Sequence, residues 1–314
     1  MTAAQEPAAS GLWAESLRRW LFHHRLEMLM VLPLITYLFL LTLAPIVHTF
    51  GVSLTEPGHG EFPSLANFRD LFDSPVFHSA VENTIVVAIV SLALELVVGL
   101  GIALALHARF PLRDLARTVI LVPLGIPTIV SGAIMILIFS RSGYLNSLLF
   151  ALSEALNKMP GIDWEFRPLS WTVAGGWRTL LTVAVADTWK VLPVVSLIFL
   201  AGLQEMSEDI REAAEIDGAT RWQHFSRITL PLLLPYVTIA LILRAIDAFR
   251  IFELSLVLSG RVEPVIGTYI WSRYGPPISD PFTAAAASIV LFTMIMAFIV
   301  AYLRLMTARG EVQG

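Results

Sequence analysis

Six apolar runs, each about as long as the helical path across a bilayer, divide this chain. They lie at about Met28–Phe50, Thr84–Ala108, Val119–Phe139, Leu180–Leu203, Leu232–Leu258 and Ala284–Leu303. About 20 helical residues cross about 30 Å of hydrocarbon. Inside lipid each backbone N–H and C=O must find a partner within its own segment. The expected fold class is therefore an all-α integral membrane protein with six transmembrane helices.

Composition supports this. Of 314 residues, 56% are hydrophobic and only 15% charged, and the mean hydropathy is +0.73. The net charge of −4 gives no basic field suited to nucleic acid. The absence of cysteine removes disulfides, thiolate chemistry and Cys-based metal sites. Met1–Gly11 carry no basic residue and no signal-peptide pattern. Residues 1–27 read instead as a cytoplasmic tail, amphipathic around Trp13, Leu17, Trp20 and Leu21, and 307–314 as a second tail. There is no Gly-x-x-x-x-Gly-Lys-Ser/Thr, no His-Glu-x-x-His and no Gly-x-Ser-x-Gly. No catalytic or metal site is expected, and the chain holds no cofactor of its own. Active transport by this chain would draw its energy from another subunit or an ion gradient.

A short polar segment between the fourth and fifth runs carries the strongest local signals. Ile210, Ala213, Ala214 and Asp217 fall at i, i+3, i+4 and i+7, one helical face. Gly218 stands where a helix should end in a left-handed turn. Thr220 and Gln223 have the capping-box spacing for a second helix, which Pro231 should close. A helix–glycine–helix unit between two spans suits a docking element for a soluble partner. A re-entrant or merely solvated amphipathic loop is the alternative.

Charges inside the apolar runs are the other candidates, because they are expensive in lipid. The second run carries Glu95, the fourth Asp187 and Lys190, and the fifth Arg244, Asp247, Arg250 and Glu253. The i, i+3 spacing of opposite charges suits simple ion pairing, with Asp187, Lys190 and Arg244 in that role. Trp189, Asp247, Phe249, Arg250 and Glu253 are the expected lining of a solute path. Phe252 and Tyr269 would add apolar faces fit for a sugar ring.

Basic residues near the run ends give an orientation. Arg18, Arg19, Arg25, Arg109, Arg113, Arg117, Arg211, Arg221, Arg227, Arg304 and Arg309 place both termini and the capped segment in the cytoplasm. Arg69, Arg141, Lys158, Arg167, Arg178, Arg261 and Arg273 fall on the other side. The external loops run about Gly51–Asn83, Ser140–Thr179 and Ser259–Thr283. Trp164, Trp171, Trp177 and Trp271 there could anchor at the lipid headgroups or face a docking protein. No repeat relates the first three runs to the last three, which disfavours an inverted-repeat carrier.

Glu212-Ala213-Ala214, then Asp217-Gly218-Ala219, Phe225 and Leu230-Pro231 resemble the coupling loop of ABC importer permeases. The resemblance extends from about Leu26 to Met306. It takes in Leu32-Pro33, Ala44-Pro45-Ile46, Leu65-Ala66-Asn67-Phe68, Asn83-Thr84 and Val122-Pro123 with Pro127. Asp187-Thr188-Trp189-Lys190, Ala201-Gly202-Leu203-Gln204 and Ala248-Phe249-Arg250-Ile251-Phe252 continue it. It is nearest to the first permease of maltose- and glycerol-phosphate-type uptake systems.

That resemblance implies a first transmembrane helix at 28–50 that wraps a partner permease, and a permease core at 80–306 with its coupling loop at 204–231. Glu212, Ala213, Ala214, Asp217, Gly218, Ala219, Arg221 and Phe225 would engage an ATPase. The implied partners are a second permease subunit, two cytoplasmic ATPases that hold the ATP and Mg, an extracytoplasmic solute-binding protein and membrane lipid. The implied location is a bacterial or archaeal inner membrane, and the implied solute a carbohydrate, polyol or sugar phosphate. A six-span channel or scaffold and a gradient-driven carrier remain the other readings of the residues.

Overall fold

A computed structural model describes residues 23–308 except 59, 109, 160, 162 and 173–174. The expected features at Trp13, Leu17, Trp20 and Leu21, and Arg18, Arg19, Arg109 and Arg309, lie outside the described residues. All regular structure among the described residues is helical. Six helical stretches are long and apolar enough to cross a membrane.

The first, α1 (Arg25–Ser53), is a unit by itself up to Val52, with a wide π turn at Phe39–Leu43. The rest of the chain forms a second unit. It begins with the short α2 (Ala66–Phe72), where buried Asn67 donates to the carbonyls of Ser53 and Thr55 at 2.9 and 2.8 Å. Two long helices then make its axis, α3 (Pro75–His107) and α7 (Trp177–Glu205). They meet at Gly99, where an added Cβ would lie 2.8 Å from Val195 Cγ1. Without a solvent-driven hydrophobic effect, helices in lipid associate through such close van der Waals contact.

The third expected run does not form one helix. It breaks at Ile126-Pro127 into α4 (Arg113–Gly125) and α5 (Thr128–Phe139). Proline disfavours the α conformation of the residue before it, and Ile126 is extended at φ −89°, ψ 128°. Past a tight turn, α6 (Tyr144–Leu156) follows α5, and Thr128–Leu156 together has the length of a span.

The coupling segment holds α8 (Glu208–Ile216), and α9 (Arg221–Phe249) runs from it into the membrane. Pro231 does not end the unit, contrary to the sequence reading. A π turn at Phe225–Thr229 precedes it, with Leu230 N–H bonded to Phe225 O. The wider turn shifts the hydrogen-bond register and absorbs the proline without a break.

The fifth expected run also stops early. Helix α9 ends at Phe249, and α10 (Glu253–Ser259) starts after a bend at Arg250–Phe252. Then come α11 (Ile266–Tyr274) and the last span, α12 (Pro281–Ala308). Helix α9 packs on α3 and α7, α10 on α5 and α7, and α11 on α3 and α12. Alanines at 245, 248, 286 and 287 are buried in one cluster with Phe77 and Tyr269, a small-residue interface of the kind lipid-embedded helices need.

Candidate coupling element and membrane charge cluster

The segment between α7 and α9 folds on local rules. Ser207 caps α8, its hydroxyl accepting from Asp209 N–H at 3.1 Å. Glu208 and Asp209 suit the positive end of the helix dipole. Arg211 bridges Glu208 and Glu215, the latter at 2.6 Å. Hydrogen bonding to Glu208, helped by its charge and that of Glu215, holds the guanidinium more firmly protonated than usual.

The end of α8 is a Schellman motif. Ala219 N–H reaches Ala214 O at 2.9 Å, and Gly218 N–H reaches Glu215 O at 3.1 Å. Gly218 takes φ +76°. Thr220 and Gln223 then close a reciprocal capping box, with bonds of 2.8 and 3.3 Å. One end of this turn is thus fixed by backbone bonds around Gly218 and the other by the side chains of Thr220 and Gln223.

The outward face differs from the expected one. Among Glu212, Ala213, Ala214, Asp217, Gly218, Ala219, Arg221 and Phe225, only Ala214 is buried. It points into the protein. The apolar groups that stand out are Ile216, 85% exposed, and Trp222, 72% exposed. Trp222 is supported from behind by Phe225, ring centroids 5.7 Å apart. Ile216 escaped sequence reasoning because it lies off the Ala213–Ala214 face.

The membrane charges pair in part as their spacing suggested: Asp247 bonds both Arg244 and Arg250 three residues away, but the strongest contacts run between helices. Arg244 on α9, 4% exposed, is the hub. Its Nε donates to Glu95 Oε2 at 2.9 Å and its Nη2 to Glu95 Oε1 at 3.0 Å, a two-pronged pair with α3. Nη2 also reaches Asp187 Oδ2 on α7 at 3.3 Å. Nη1 reaches Asp247 Oδ2 at 3.2 Å, and Asp247 Oδ1 accepts from Arg250 at 3.3 Å. Three spans meet at one guanidinium.

Lys190 is not an ion-pair partner of Asp187. It turns the other way and donates to the carbonyl oxygens of Pro123, at 2.8 Å, Leu124, at 3.4 Å, and Ile126. These carbonyls lie where α4 breaks, and the Pro123 oxygen also accepts from Ile126 N–H at 3.3 Å. Helix periodicity alone could not show which neighbour the long side chain would choose.

The expected path lining divides. Asp247 and Arg250 have exposed side chains, 54% and 68%. Trp189 is half-buried beside the core formed by Val183, Ile251 and Leu254. Phe249 is 4% exposed and packs on Phe298 at 5.3 Å, and Tyr269 is 2% exposed. Both belong to the packing between helices and not to an open surface. Glu253 starts α10 beyond the bend, so the i, i+3 ladder from Arg250 is broken. Glu95, which sequence reasoning left without a role, is fully buried at the centre.

On the far side from α8, Glu263 accepts from Asn83 Nδ2 at 3.0 Å and from Gly176 N–H. Asn146 gathers the carbonyls of Ser140, Arg141 and Leu169 and accepts from Trp171 Nε1 at 3.2 Å. Trp177 and Trp271 are exposed.

Residues 96–305 match a family described as binding-protein-dependent transport system inner membrane component. The chain is 33% identical to the trehalose/maltose transport system permease protein MalF of Thermococcus litoralis, over 89% of this chain and 93% of the relative. It is 30% identical to the trehalose transport system permease protein SugA of Mycobacterium tuberculosis, over 83% of this chain and 81% of that one. A subunit of a bacterial alginate ABC transporter, crystallised with an alginate pentasaccharide-bound periplasmic protein, shares the fold. Its TM-score is 0.77 at 24% identity, covering 96% of this chain and 99% of that chain. The chain therefore belongs to the binding-protein-dependent transport system inner membrane components: it is a multi-pass ABC importer permease, a transport subunit.

Proposed function

We propose that this chain is one of two permeases that line the route of a carbohydrate into a bacterial or archaeal cell. An external binding protein delivers the solute, and two cytoplasmic ATPases, which hold the ATP and Mg, drive it. The observation that carries the carbohydrate reading is the 33% identity to a trehalose/maltose permease over nearly the whole chain. The doubly capped α8–Gly218–α9 turn is what an ATPase would grip. Asp247 and Arg250 are the groups offered to a hydroxyl-rich solute, with Trp189 beside them.

Arg113, Arg117, Arg211, Arg221, Arg227 and Arg304 support an orientation with α8 and both tails in the cytoplasm. Single cysteines at Ser207 and Ser170 test it in this cysteine-free chain. Ser207→Cys should be labelled only after permeabilisation and Ser170→Cys from outside. The reverse pattern overturns the orientation. Uptake of radiolabelled maltose and trehalose by cells carrying the complete system tests the rest. Saccharide uptake should vanish when the ATPase gene is deleted. Uptake that persists without the ATPase favours a carrier or channel.

A further inference from the structure

Glu95 touches no exposed surface, yet it begins the run of contacts that ends at the exposed Arg250. We propose that Glu95 is a positioning residue for transport: through Arg244 it sets where Asp247 stands at the solute path. The inference rests on the reading of Asp247 and Arg250 as path residues and names the residue that holds them.

Charge alone does not explain the arrangement. Arg244 faces three carboxylates, from Glu95, Asp187 and Asp247, where one would neutralise it. What Glu95 adds is geometry. Two parallel N–H···O bonds fix the plane of a guanidinium, because its donors form a rigid fork. Glu95 itself has no freedom, being fully buried one turn from the tight contact of Gly99 with Val195. Once the plane is set, the two N–H directions of Nη1 are fixed, and Asp247 Oδ2 lies 3.2 Å from that nitrogen. Both oxygens of Asp247 are engaged, one by Arg244 and one by Arg250. Each still has a lone pair for a hydroxyl donor. A carboxylate held in place beside an exposed guanidinium suits a polyhydroxyl solute.

The test uses cells carrying the complete system, with maltose and trehalose as labelled probes and uptake scaled to the amount of assembled complex. Glu95→Gln keeps the shape and one acceptor oxygen but loses half of the fork. It should lower maximal uptake per complex roughly tenfold, the scale of one lost charge-assisted contact, and alter the maltose-to-trehalose ratio. Asp247→Asn should do the same. If Glu95 acts through Asp247, the double variant falls no further than Asp247→Asn alone, since coupled sites are not additive. Glu95→Asp, which restores charge one methylene short, should not rescue uptake.

Four results overturn the proposal. The double variant could fall by the product of the two single losses. Glu95→Asp could recover full uptake, which would make the role one of charge. Glu95→Gln could lower the amount of complex with turnover per complex unchanged, which would make the role one of folding. Asp247→Asn could leave uptake and its ratio unaltered, and that result removes the path reading as well. Uptake of neither sugar by the unaltered system is distinct, because it removes the carbohydrate reading on which the proposal stands.

Discussion

Lys190 Nζ lies 2.8 Å from the carbonyl oxygen of Pro123, so a cation on one span closes the broken end of another. Helix α4 stops at Ile126, extended before Pro127, and the regular i to i+4 bonding of its last carbonyls ends there, with Pro123 O keeping only the tighter bond from Ile126 N–H. In lipid no water can replace those donors. The lysine supplies three at once.

Replacing Lys190 with Met should therefore destabilise the protein by about 1 kcal/mol, the scale of lost hydrogen bonds to half-buried acceptors. Lys190→Arg should recover part of this. Thermal unfolding of the purified protein in detergent measures it. An unchanged midpoint for Lys190→Met would mean that the carbonyls find other donors.

Arg244→Met should be far worse. It leaves Glu95 and Asp187 buried without their cation, and breaking a buried pair on one side costs about 3–5 kcal/mol. Little protein should reach the membrane. The triple variant Glu95→Met, Asp187→Leu, Arg244→Met removes every stranded charge and should restore much of the amount, without restoring uptake. Membrane immunoblots with uptake assays separate the two effects.

Gly218→Val acts through the backbone alone. At φ +76° a β-branched residue is strained, but an added Cβ meets nothing within 4 Å. The expected effect is a conformational cost of about 1–2 kcal/mol. The protein should stay in the membrane while coupling of ATP hydrolysis to uptake falls. Gly218→Asn, which tolerates this region better, should be milder. Equal behaviour of Val and Asn would argue against the left-handed turn.

Ala214 and Ile216 should behave oppositely. Ala214→Trp forces a large side chain into a buried position and should lower the amount of folded protein. Ile216→Asp alters an 85% exposed side chain and should spare folding but weaken co-purification of the ATPase. Loss of ATPase binding in folded Ala214→Trp alone, with Ile216→Asp unaffected, would reverse this assignment.

What could be read without the structure was local. Gly218, Thr220 and Gln223 act within a few residues, so their spacing already states their geometry. The same holds for the existence of six apolar spans. Position 127 held a visible proline, yet hydropathy reads straight through it, because a window average does not register a missing N–H. Glu95 and Arg244 are 149 residues apart, and no periodicity links them. Lys190 and Asp187 were near in sequence and opposite in sign, but a four-carbon stem let Lys190 reach the carbonyls at the end of α4 instead. Phe249 looked like a ring beside a path because its neighbours in sequence are charged, whereas the helix turns it inward.

The π turn at Phe225–Thr229 has a mechanical meaning. It joins the foot at Arg221 to the membrane helix in one continuous run of 29 residues, about 43 Å long at 1.5 Å per residue. Trp222 stands at one end of this lever and Asp247 near the other. A tilt of about 5° at the foot sweeps the far end by about 4 Å, more than the length of the hydrogen bond between Arg244 and Asp247. Torque applied at the exposed tryptophan would thus arrive at the carboxylates as displacement.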